Sequence, residues 1–377
     1  MTYQICTKCV MDTSDPTITF DENGASNHYS DFIKEMKPHW SPDGINFSEL
    51  EVLVASIKEA GKGRDFDCLL GLSGGLDSSY MLHTMVRDFG LRPLVFHVDG
   101  GWNSELAVHN IHALVDKLGL DLYTEVINWN EMRDFQLAFF KSGVPHIDIP
   151  QDHAFIAAQY KFAEKSGVKY ILNGGNISTE CVANPLQYFY WGTDLLQIND
   201  IVNKFGTVSM DTYEFSSVYR HKIYLRYFKG VKVVKPLNFI PYTKLAASQV
   251  LEAEYGWRLP ERKHFESRFT RFFEGYWLPT RFGFDVRRVQ LSSLILTGQV
   301  SRDDALKELE NPPYDSECIK HDFEYVATKM GISVDELHHY HELPKKFYWD
   351  YRNQNRTLLA IESIVRKLGL GRRGSAY

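Results

Sequence analysis

Short strand-like runs alternate with amphipathic segments along the middle of the chain, between Asp65 and about Trp257. Runs at 68–70, 94–98, 121–127 and 170–172 have the length and boundaries expected of strands. The segments that follow them carry apolar residues at helical spacing, which predicts helices at about 130–141 and 151–166. Strands that alternate with helices are typical of a parallel sheet covered on both faces. The pattern therefore predicts an α/β fold.

Capping residues mark several helix ends. Ser104 precedes an amphipathic segment that stops at Gly119, so a capped helix is predicted between them. The sequence becomes helical after about residue 260, where Ser301 and Ser333 each open a segment as a capping box or near variant. A further helix is predicted at about 48–60. We divide the chain into an N-terminal segment (1–60), a sheet domain (61–260) and a helical C-terminal region (261–377).

The stretch at about 185–229 is rich in aromatic residues and departs from the strand–helix rhythm, so it is predicted to be an insertion. Aromatic rings can stack on a sugar or a base, but they more often bury area in a core or a subunit contact. Packing is the interpretation that we favour for this stretch.

One glycine-rich stretch, Gly71-Leu-Ser-Gly-Gly-Leu-Asp-Ser-Ser79, joins the first predicted strand to an amphipathic helix. Strand, turn and helix in this order point backbone N–H groups and a helix N-terminus at an anion such as phosphate. The Walker pattern needs a Lys followed by Ser or Thr, and the stretch has no Lys. The Rossmann pattern fails because Gly71, Gly74 and Gly75 have the wrong spacing. An ordinary glycine turn is the alternative interpretation.

The middle of this stretch resembles the signature of the PP-loop ATP pyrophosphatases, which cleave ATP to AMP and pyrophosphate. The resemblance implies an adenine nucleotide alpha hydrolase-like core that uses ATP and Mg²⁺. Ser73 and Asp77 are predicted to be catalytic, and Asp77 is also the candidate Mg²⁺ ligand. The candidate phosphate-binding residues are Ser73, Gly74, Gly75, Leu76, Asp77, Ser78 and Ser79.

Further polar turns follow strands of the same predicted sheet, at the edge where open parallel sheets bind ligands. Two such stretches are His97-Val98-Asp99 and Gly174-Gly175-Asn176. Turn chemistry alone is the alternative for Asp99 and Asn176, since Asp, Asn and Gly dominate turns. In the PP-loop family the end of the second strand lies against the adenosine. Lys244, after a strand and a proline turn, resembles the family's second phosphate contact and is the predicted cation for pyrophosphate.

Composition limits the cellular compartment and the partners expected of the protein. The chain has 377 residues, 44% of them hydrophobic, and a formal net charge of −6. No apolar run reaches membrane length and no secretory signal opens the sequence, so a soluble protein without a membrane partner is expected. The acidic net charge argues against a nucleic-acid partner. Five cysteines in so long a chain favour the reducing cytoplasm over a disulfide framework.

Cys6 and Cys9 form half of a zinc-ribbon pattern and are candidate zinc ligands. A structural zinc normally has four protein ligands. The place for a second pair, residues 24–29, holds no cysteine, although His28 could supply one ligand. Two free thiols without a metal are therefore the favoured interpretation.

Four stretches together resemble a narrower family, the N-acetyl sugar amidotransferases of bacterial O-antigen and related surface-sugar biosynthesis. They are the Cys6–Cys9 pair with residues 19–24, the phosphate loop, the 173–176 turn and Lys263-His-Phe-Glu-Ser267. The resemblance covers nearly the whole chain. One departure is that relatives tend to carry a second cysteine pair where this chain has Ser26 and Tyr29.

The resemblance implies that the enzyme converts the acetamido group of a nucleotide-activated sugar into an acetamidino group through an adenylated intermediate. Lys263, His264, Arg268 and Arg271 are candidates to bind the sugar acid or its diphosphate, with a solvated helix face as the alternative. The sequence has no glutaminase nucleophile elbow and no N-terminal cysteine. A separate glutaminase subunit that supplies ammonia is therefore implied, and the family pairs with one resembling the glutaminase of imidazole-glycerol-phosphate synthase.

The sequence leaves two other functions open. It also leaves open the number of subunits, and a homodimer is one of the alternatives. A PP-loop tRNA-modifying enzyme, thiolating or amidating, would need a reactive cysteine near the loop and a basic face for RNA. A nucleotide-binding module without chemistry would generally lack the full Ser-Gly-Gly-x-Asp-Ser set that this chain carries.

Overall fold

A parallel sheet forms the centre of the protein. The computed structural model describes residues 2–43, 47–260 and 265–367. Five strands make up this sheet: β1 (Cys68–Gly71), β2 (Pro93–Asp99), β3 (Leu122–Val126), β4 (Tyr170–Leu172) and β5 (Lys232–Val234). Their order is β3-β2-β1-β4-β5, and every neighbouring pair is parallel. This topology confirms the predicted α/β fold.

Helices cover both faces of the sheet and form most of the C-terminal region. In chain order they are α1 (Asn27–Asp31), α2 (Phe47–Ala60), α3 (Leu76–Arg87), α4 (Glu105–Leu118), α5 (Trp129–Ser142), α6 (Ile149–Ser166), α7 (Ile177–Glu180), α8 (Leu195–Phe205), α9 (Lys244–Tyr255), α10 (Arg268–Phe272), α11 (Leu278–Phe282), α12 (Arg287–Leu296), α13 (Arg302–Glu310), α14 (Ser316–Met330), α15 (Val334–Glu342) and α16 (Asn355–Lys367). Among the described residues, no helix is both long and apolar enough to cross a membrane.

Shorter helical segments lie between several of these elements. The 3-10 segments are Lys37–His39, Pro236–Phe239 and Tyr348–Asp350, and the π-helical segments are Phe32–Met36, Arg220–Phe228 and Phe273–Trp277.

The predicted caps are confirmed. Ser104 Oγ accepts a hydrogen bond from the backbone N–H of Ala107, and Gly119 ends α4 in the left-handed region with φ of 65°. Ser301 and Ser333 cap α13 and α15 in the same way, each accepting from the N–H three residues on. These boundaries follow from signals local to each helix.

Alternate residues of the central strand reach opposite faces of the sheet. Leu70 packs with α2, α3, α4 and α9, whereas Leu69 packs on the other face with α6 and residues around Leu225. Both leucines are fully buried. Because both faces of the sheet are covered, β1 is a continuous apolar run instead of an alternating one.

The N-terminal segment packs against the C-terminal helices, far from it in sequence. Cys6, Ile18 and Phe32 share one aromatic-rich core with Phe272 and Trp277. The guanidinium of Arg302 on α13 also donates hydrogen bonds of 2.9–3.1 Å to the backbone carbonyls of Cys6 and Cys9. The division into three domains stays a prediction.

The aromatic stretch between β4 and β5 contains α8 and the π-helical segment Arg220–Phe228. Tyr188 and Tyr213 are buried in two of the hydrophobic cores, in agreement with a packing role. Tyr219, Tyr227 and Phe228 are exposed.

Strand order reverses between β1 and β4, because β2 and β3 extend the sheet on one side and β4 and β5 on the other. Loops that leave the carboxyl ends of β1 and β4 diverge at such a point and leave a crevice. The glycine-rich loop leaves β1, and the 173–176 turn leaves β4. The fold therefore places both predicted stretches at the same crevice.

Candidate functional site

The glycine-rich loop lies between β1 and the first turn of α3. Gly74 has φ of 83°, and a Cβ at this position would lie 2.7 Å from the carbonyl oxygen of Ala107. Only glycine fits both the left-handed backbone and this close approach to α4. Gly75 then serves as the N-cap residue of α3 and adds no side chain of its own at the helix N-terminus.

Hydroxyl groups hold the loop in shape. Ser73 Oγ accepts a hydrogen bond from Gly75 N at 3.2 Å, and its oxygen lies 3.2 Å from Ser78 Oγ. Ser78 Oγ also donates to the carbonyl of Gly75 at 3.2 Å. Ser73 is exposed, whereas Ser79 is fully buried in α3 and does not line either of the cavities described below.

A cavity of about 500 Å³, here called the loop cavity, opens in front of this loop. Its walls come from the loop itself, the turn after β4, the start of α9, and helices α12 and α13. The predicted residues that line it are Ser73, Gly75, Leu76, Asp77, Ser78, Gly174, Gly175 and Lys244.

Asp77 is held from two sides. The buried hydroxyl of Tyr242 donates a hydrogen bond to Asp77 Oδ1, and Asn176 Nδ2 donates to the same oxygen at 3.1 Å. Burial, together with the nearby charge of Asp77, raises the pKa of Tyr242 well above its usual value, so this phenol remains a donor. Asn176 Oδ1 caps α7 by accepting from Thr179 N at 2.9 Å. The carboxylate is therefore fixed before any ligand binds.

A second carboxylate, Glu180, lines the same cavity. Its Oε2 lies 3.2 Å from where a Cβ of Gly175 would stand, while a Cβ on Gly174 would lie 3.4 Å from Asp77 Cβ. The two carboxylates thus flank the Gly174-Gly175 turn. Mg²⁺ in phosphate sites takes one or two carboxylates and completes its shell with phosphate oxygens and water. The donors present at this turn fit such an ion.

Two cations among the described residues belong to the wall of the loop cavity. The guanidinium of Arg287 already has protein partners: it pairs with Asp285 at 2.6 Å and donates to the carbonyls of Glu308 and Asn311. Lys244 begins α9 and lines the cavity, and its backbone N–H donates to Gln299 Oε1 at 2.8 Å. Lys244 is thus a cation at the start of α9 whose position in the cavity wall suits an anionic ligand.

A second cavity of about 540 Å³, here called the side cavity, lies over the carboxyl ends of β1 and β2. His97 and Val98 line it, and Asp99 does not. Asp99 instead accepts from Gly101 N at 2.7 Å, which is turn chemistry. The two cavities share Ser73, Asn173 and Glu266.

Both ring nitrogens of His97 are engaged. Nδ1 donates to the carbonyl of Leu72 at 2.8 Å, and Nε2 accepts from Asn103 Nδ2 at 2.9 Å. Burial lowers the pKa of His97, which agrees with a neutral ring. His97 therefore braces the end of β2 against the phosphate loop.

The predicted substrate-binding arginines lie outside both cavity walls. Arg268 and Arg271 project from α10 and pair with the buried carboxylate of Asp322, at 3.1 Å for Arg268 Nη2 and 2.7 Å for Arg271 Nε. The guanidinium of Arg268 also lies 3.6 Å from the ring centre of Tyr325. Lys263 and His264 lie outside the described residues.

Sequence reasoning missed three residues of the site: Tyr242, Glu180 and Glu266. Tyr242 belongs to the proline turn that precedes Lys244, and Glu180 ends the short helix after the 173–176 turn. Glu266 belongs to the 263–267 stretch, and its Oε1 would lie 2.5 Å from a Cβ on Gly75. The resemblance of that stretch to the amidotransferase family is the one signal in the sequence that marks Glu266.

The Cys6–Cys9 pair forms a buried sulfur cluster without a third cysteine. Cys6 Sγ accepts hydrogen bonds from the backbone N–H groups of Lys8 at 3.3 Å and Ser26 at 3.1 Å, while Ser26 Oγ lies 3.8 Å from Cys9 Sγ. A hydrogen bond from Cys9 lowers the pKa of Cys6. His28 Nε2 lies 2.8 Å from Asp15 Oδ2, so that ring is already engaged.

We expect purified protein to contain far less than one zinc per chain, because two thiolates leave half of a tetrahedral shell unfilled. Elemental analysis measures this directly. A tightly held zinc at one per chain that disappears in Cys9→Ser would contradict the prediction, and Cys318→Ser, which changes an exposed thiol, is the matched control.

Comparison with known proteins finds similarities in both sequence and structure. An uncharacterized protein of Methanocaldococcus jannaschii is 22% identical over 272 residues, which cover 70% of this chain and 78% of the relative. The structure of an NH3-dependent NAD synthetase from Campylobacter jejuni, in complex with a nitrate ion, covers 80% of this chain and 99% of its own, with 13% identity and a TM-score of 0.32. Residues 266–366 match the family described as LPS biosynthesis protein WbpG-like, C-terminal domain. Residues 266–366 are thus similar to the C-terminal domain of a lipopolysaccharide-biosynthesis family, in agreement with the surface-sugar family that the sequence resembles.

Proposed function

We propose that this protein is an ATP-dependent, AMP-forming amidotransferase that converts the acetamido group of a nucleotide-activated sugar into an acetamidino group, in O-antigen biosynthesis. The observation that carries the proposal is the prearranged carboxylate of Asp77. It is held by Tyr242 and Asn176 beside a glycine-rich phosphate loop, at the point where the strand order reverses.

The chemistry begins with a poor electrophile, since an amide carbon resists ammonia and its oxygen is a poor leaving group. The amide oxygen attacks the α-phosphorus of ATP, and the bond to pyrophosphate breaks with its electron pair on the pyrophosphate. Loop N–H groups, the Ser73 and Ser78 hydroxyls and Lys244 stabilise that departing charge. When bound by Asp77 and Glu180, Mg²⁺ would add Lewis-acid stabilisation of the phosphate oxygens.

Ammonia then attacks the activated carbon with its lone pair and loses a proton, and AMP leaves with the former amide oxygen. Glu266, at the junction of the two cavities, is the carboxylate placed to accept that proton. Water must be kept away at this stage, because its attack would only regenerate the amide.

The test is an assay with ATP, Mg²⁺, ammonium and a panel of UDP-linked N-acetyl sugars, read by mass spectrometry. The proposal expects AMP, pyrophosphate and a product 1 Da lighter than the sugar, since NH replaces O. AMP formation that depends on tRNA and not on any sugar would contradict it, and so would nucleotide binding without AMP.

Replacing Tyr242 with phenylalanine tests how Asp77 is positioned. The change removes one hydrogen bond to a carboxylate, worth about 1.5–3 kcal/mol, so AMP formation should slow by roughly 10- to 100-fold. The Mg²⁺ concentration needed for half-maximal rate should rise as well. Tyr255→Phe is the matched control, because it removes a hydroxyl that bonds another α3 side chain, His83, and that lines neither cavity. An unchanged Mg²⁺ dependence in Tyr242→Phe would show that the phenol does not position the carboxylate.

A further inference from the structure

The side cavity differs in charge from the loop cavity. Among the described residues that line it, carboxylates, amides, hydroxyls and aromatic rings are present, but no Lys or Arg. The loop cavity, by contrast, has Lys244 and Arg287 in its wall. A diphosphate carries charge that needs cations or helix N-termini around it. The side cavity therefore suits an uncharged ligand.

One wall of the side cavity is a fixed hydrogen-bond network. Thr270 Oγ1 donates to Asp148 Oδ2 at 2.6 Å, and Gln151 Nε2 reaches Asp148, Ser267 and Thr270 at 3.2–3.3 Å. Asp148 and Gln151 are both buried. Such a network holds the wall between α6 and α10 rigid, which favours recognition of one ligand shape.

Two polar groups on the wall have capacity left for a ligand. The carboxylate of Asp152 is about half exposed, and among the described residues it contacts His146 Nε2 through Oδ2 at 3.2 Å. Asn184 Oδ1 is buried without a hydrogen-bond partner among the described residues. A buried acceptor of this kind is unfavourable unless something donates to it. Hydroxyl groups of a ligand are donors that would satisfy both.

Aromatic rings complete the cavity. Phe155, Phe189 and Phe273 line it together with these polar groups. A pyranose ring presents hydroxyl groups at its edge and C–H groups on its faces, so it needs both kinds of wall. A flat polar surface or a purely apolar pocket would match only one of them.

The geometry of the proposed reaction also favours the side cavity as the site of the sugar. In phosphoryl-type transfer the attacking and leaving oxygens lie roughly in line. Pyrophosphate leaves on the side of the loop cavity, where Lys244 stands, so the attacking amide oxygen must approach from the opposite side. The side cavity adjoins the loop cavity at Ser73, Asn173 and Glu266, so a ligand bound in it would approach from outside the pyrophosphate position.

We propose that the side cavity binds the N-acetyl sugar ring of the acceptor through Asp152 and Asn184, and leaves the acceptor's charged diphosphate outside it. The adenosine of ATP shares the cavity at the strand ends, against His97 and Val98. This proposal rests on the proposed function, because it is the acetamido group of the bound ring that must reach the α-phosphate. Arg268 and Arg271 take no part in holding the ring.

Binding can be measured apart from catalysis. Calorimetric titration of the full chain uses Mg²⁺ with α,β-methylene-ATP, which cannot release pyrophosphate, and the panel of UDP-linked N-acetyl sugars. The dissociation constant of the sugar that binds should rise by about 10- to 100-fold in Asp152→Asn and in Asn184→Ala. This is the loss expected when a hydrogen bond to a charged or buried group is removed. The dissociation constants of α,β-methylene-ATP and of UDP alone should not change.

Asp303→Asn is the matched control, since Asp303 is exposed on α13 away from both cavities. Sugar binding that both cavity variants leave intact would overturn the proposal, as would a loss confined to α,β-methylene-ATP or to UDP. Absence of binding by every sugar in the panel would also overturn it. If sugar binds and the variants weaken it but no AMP ever forms, the cavity assignment stands and the proposed function fails.

Discussion

Replacing Asp77 with alanine is expected to lower the rate of AMP formation by about 10²–10³-fold, the usual cost of removing one prearranged electrostatic group from an active site. Asp77 is the carboxylate that the fold fixes at the phosphate loop, through Tyr242 and Asn176. It is also the first candidate to hold Mg²⁺ against the phosphates. Rates are measured as AMP release at saturating ATP, with Mg²⁺ varied.

Loss of folding must be separated from loss of chemistry in this variant. Alanine leaves the buried Tyr242 hydroxyl without its acceptor, which should cost about 1–3 kcal/mol of stability and lower the melting temperature. Asp77→Asn keeps an oxygen acceptor but loses the charge, so it should fold normally and remain slow. Asp303→Ala, on an exposed surface of α13, is the control for removal of a carboxylate. An Asp77→Asn protein that forms AMP at the wild-type rate would refute the assignment of the phosphate loop.

The parts of the fold that could be predicted are those whose signals lie close together in sequence. The cap at Ser104 and the stop at Gly119 define α4 from its own ends. The glycine-rich loop could be placed at a strand–helix junction because the apolar run and the helical spacing adjoin it. The meeting of this loop and the 173–176 turn at one edge followed from the rule that open parallel sheets bind ligands at their carboxyl edge.

The contacts that complete the site are long-range, and a single sequence does not show them. Tyr242 lies 165 positions from Asp77, and no local pattern marks a tyrosine in a proline turn as a partner of a carboxylate. Arg268 and Arg271 have the composition of a ligand-binding face. Their shared partner Asp322 comes 51 positions after Arg271 and offsets part of their charge.

The second large effect is expected when the source of nitrogen is changed. The cysteines decide whether this chain could release ammonia from glutamine by itself. A glutaminase nucleophile needs an accessible thiolate beside a base. Cys6, Cys9, Cys68 and Cys181 are buried. Burial raises the pKa of Cys181 to about 12 and that of Cys68 further. Cys318 is exposed, but it lies in the first turn of α14 and lines neither cavity.

We therefore expect the purified chain to use ammonium but not glutamine, and a glutaminase partner to restore the use of glutamine. With ammonium salts the rate should rise with pH towards the pKa of ammonium, because only NH3 has a lone pair to attack with. Glutamine-driven activity with the partner should lack most of that rise, since the ammonia would arrive already deprotonated. The decisive measurement supplies the isolated chain with amide-¹⁵N glutamine, ATP and the acceptor sugar. Efficient transfer of the label into the product, with no second protein present, would rule out the two-subunit scheme.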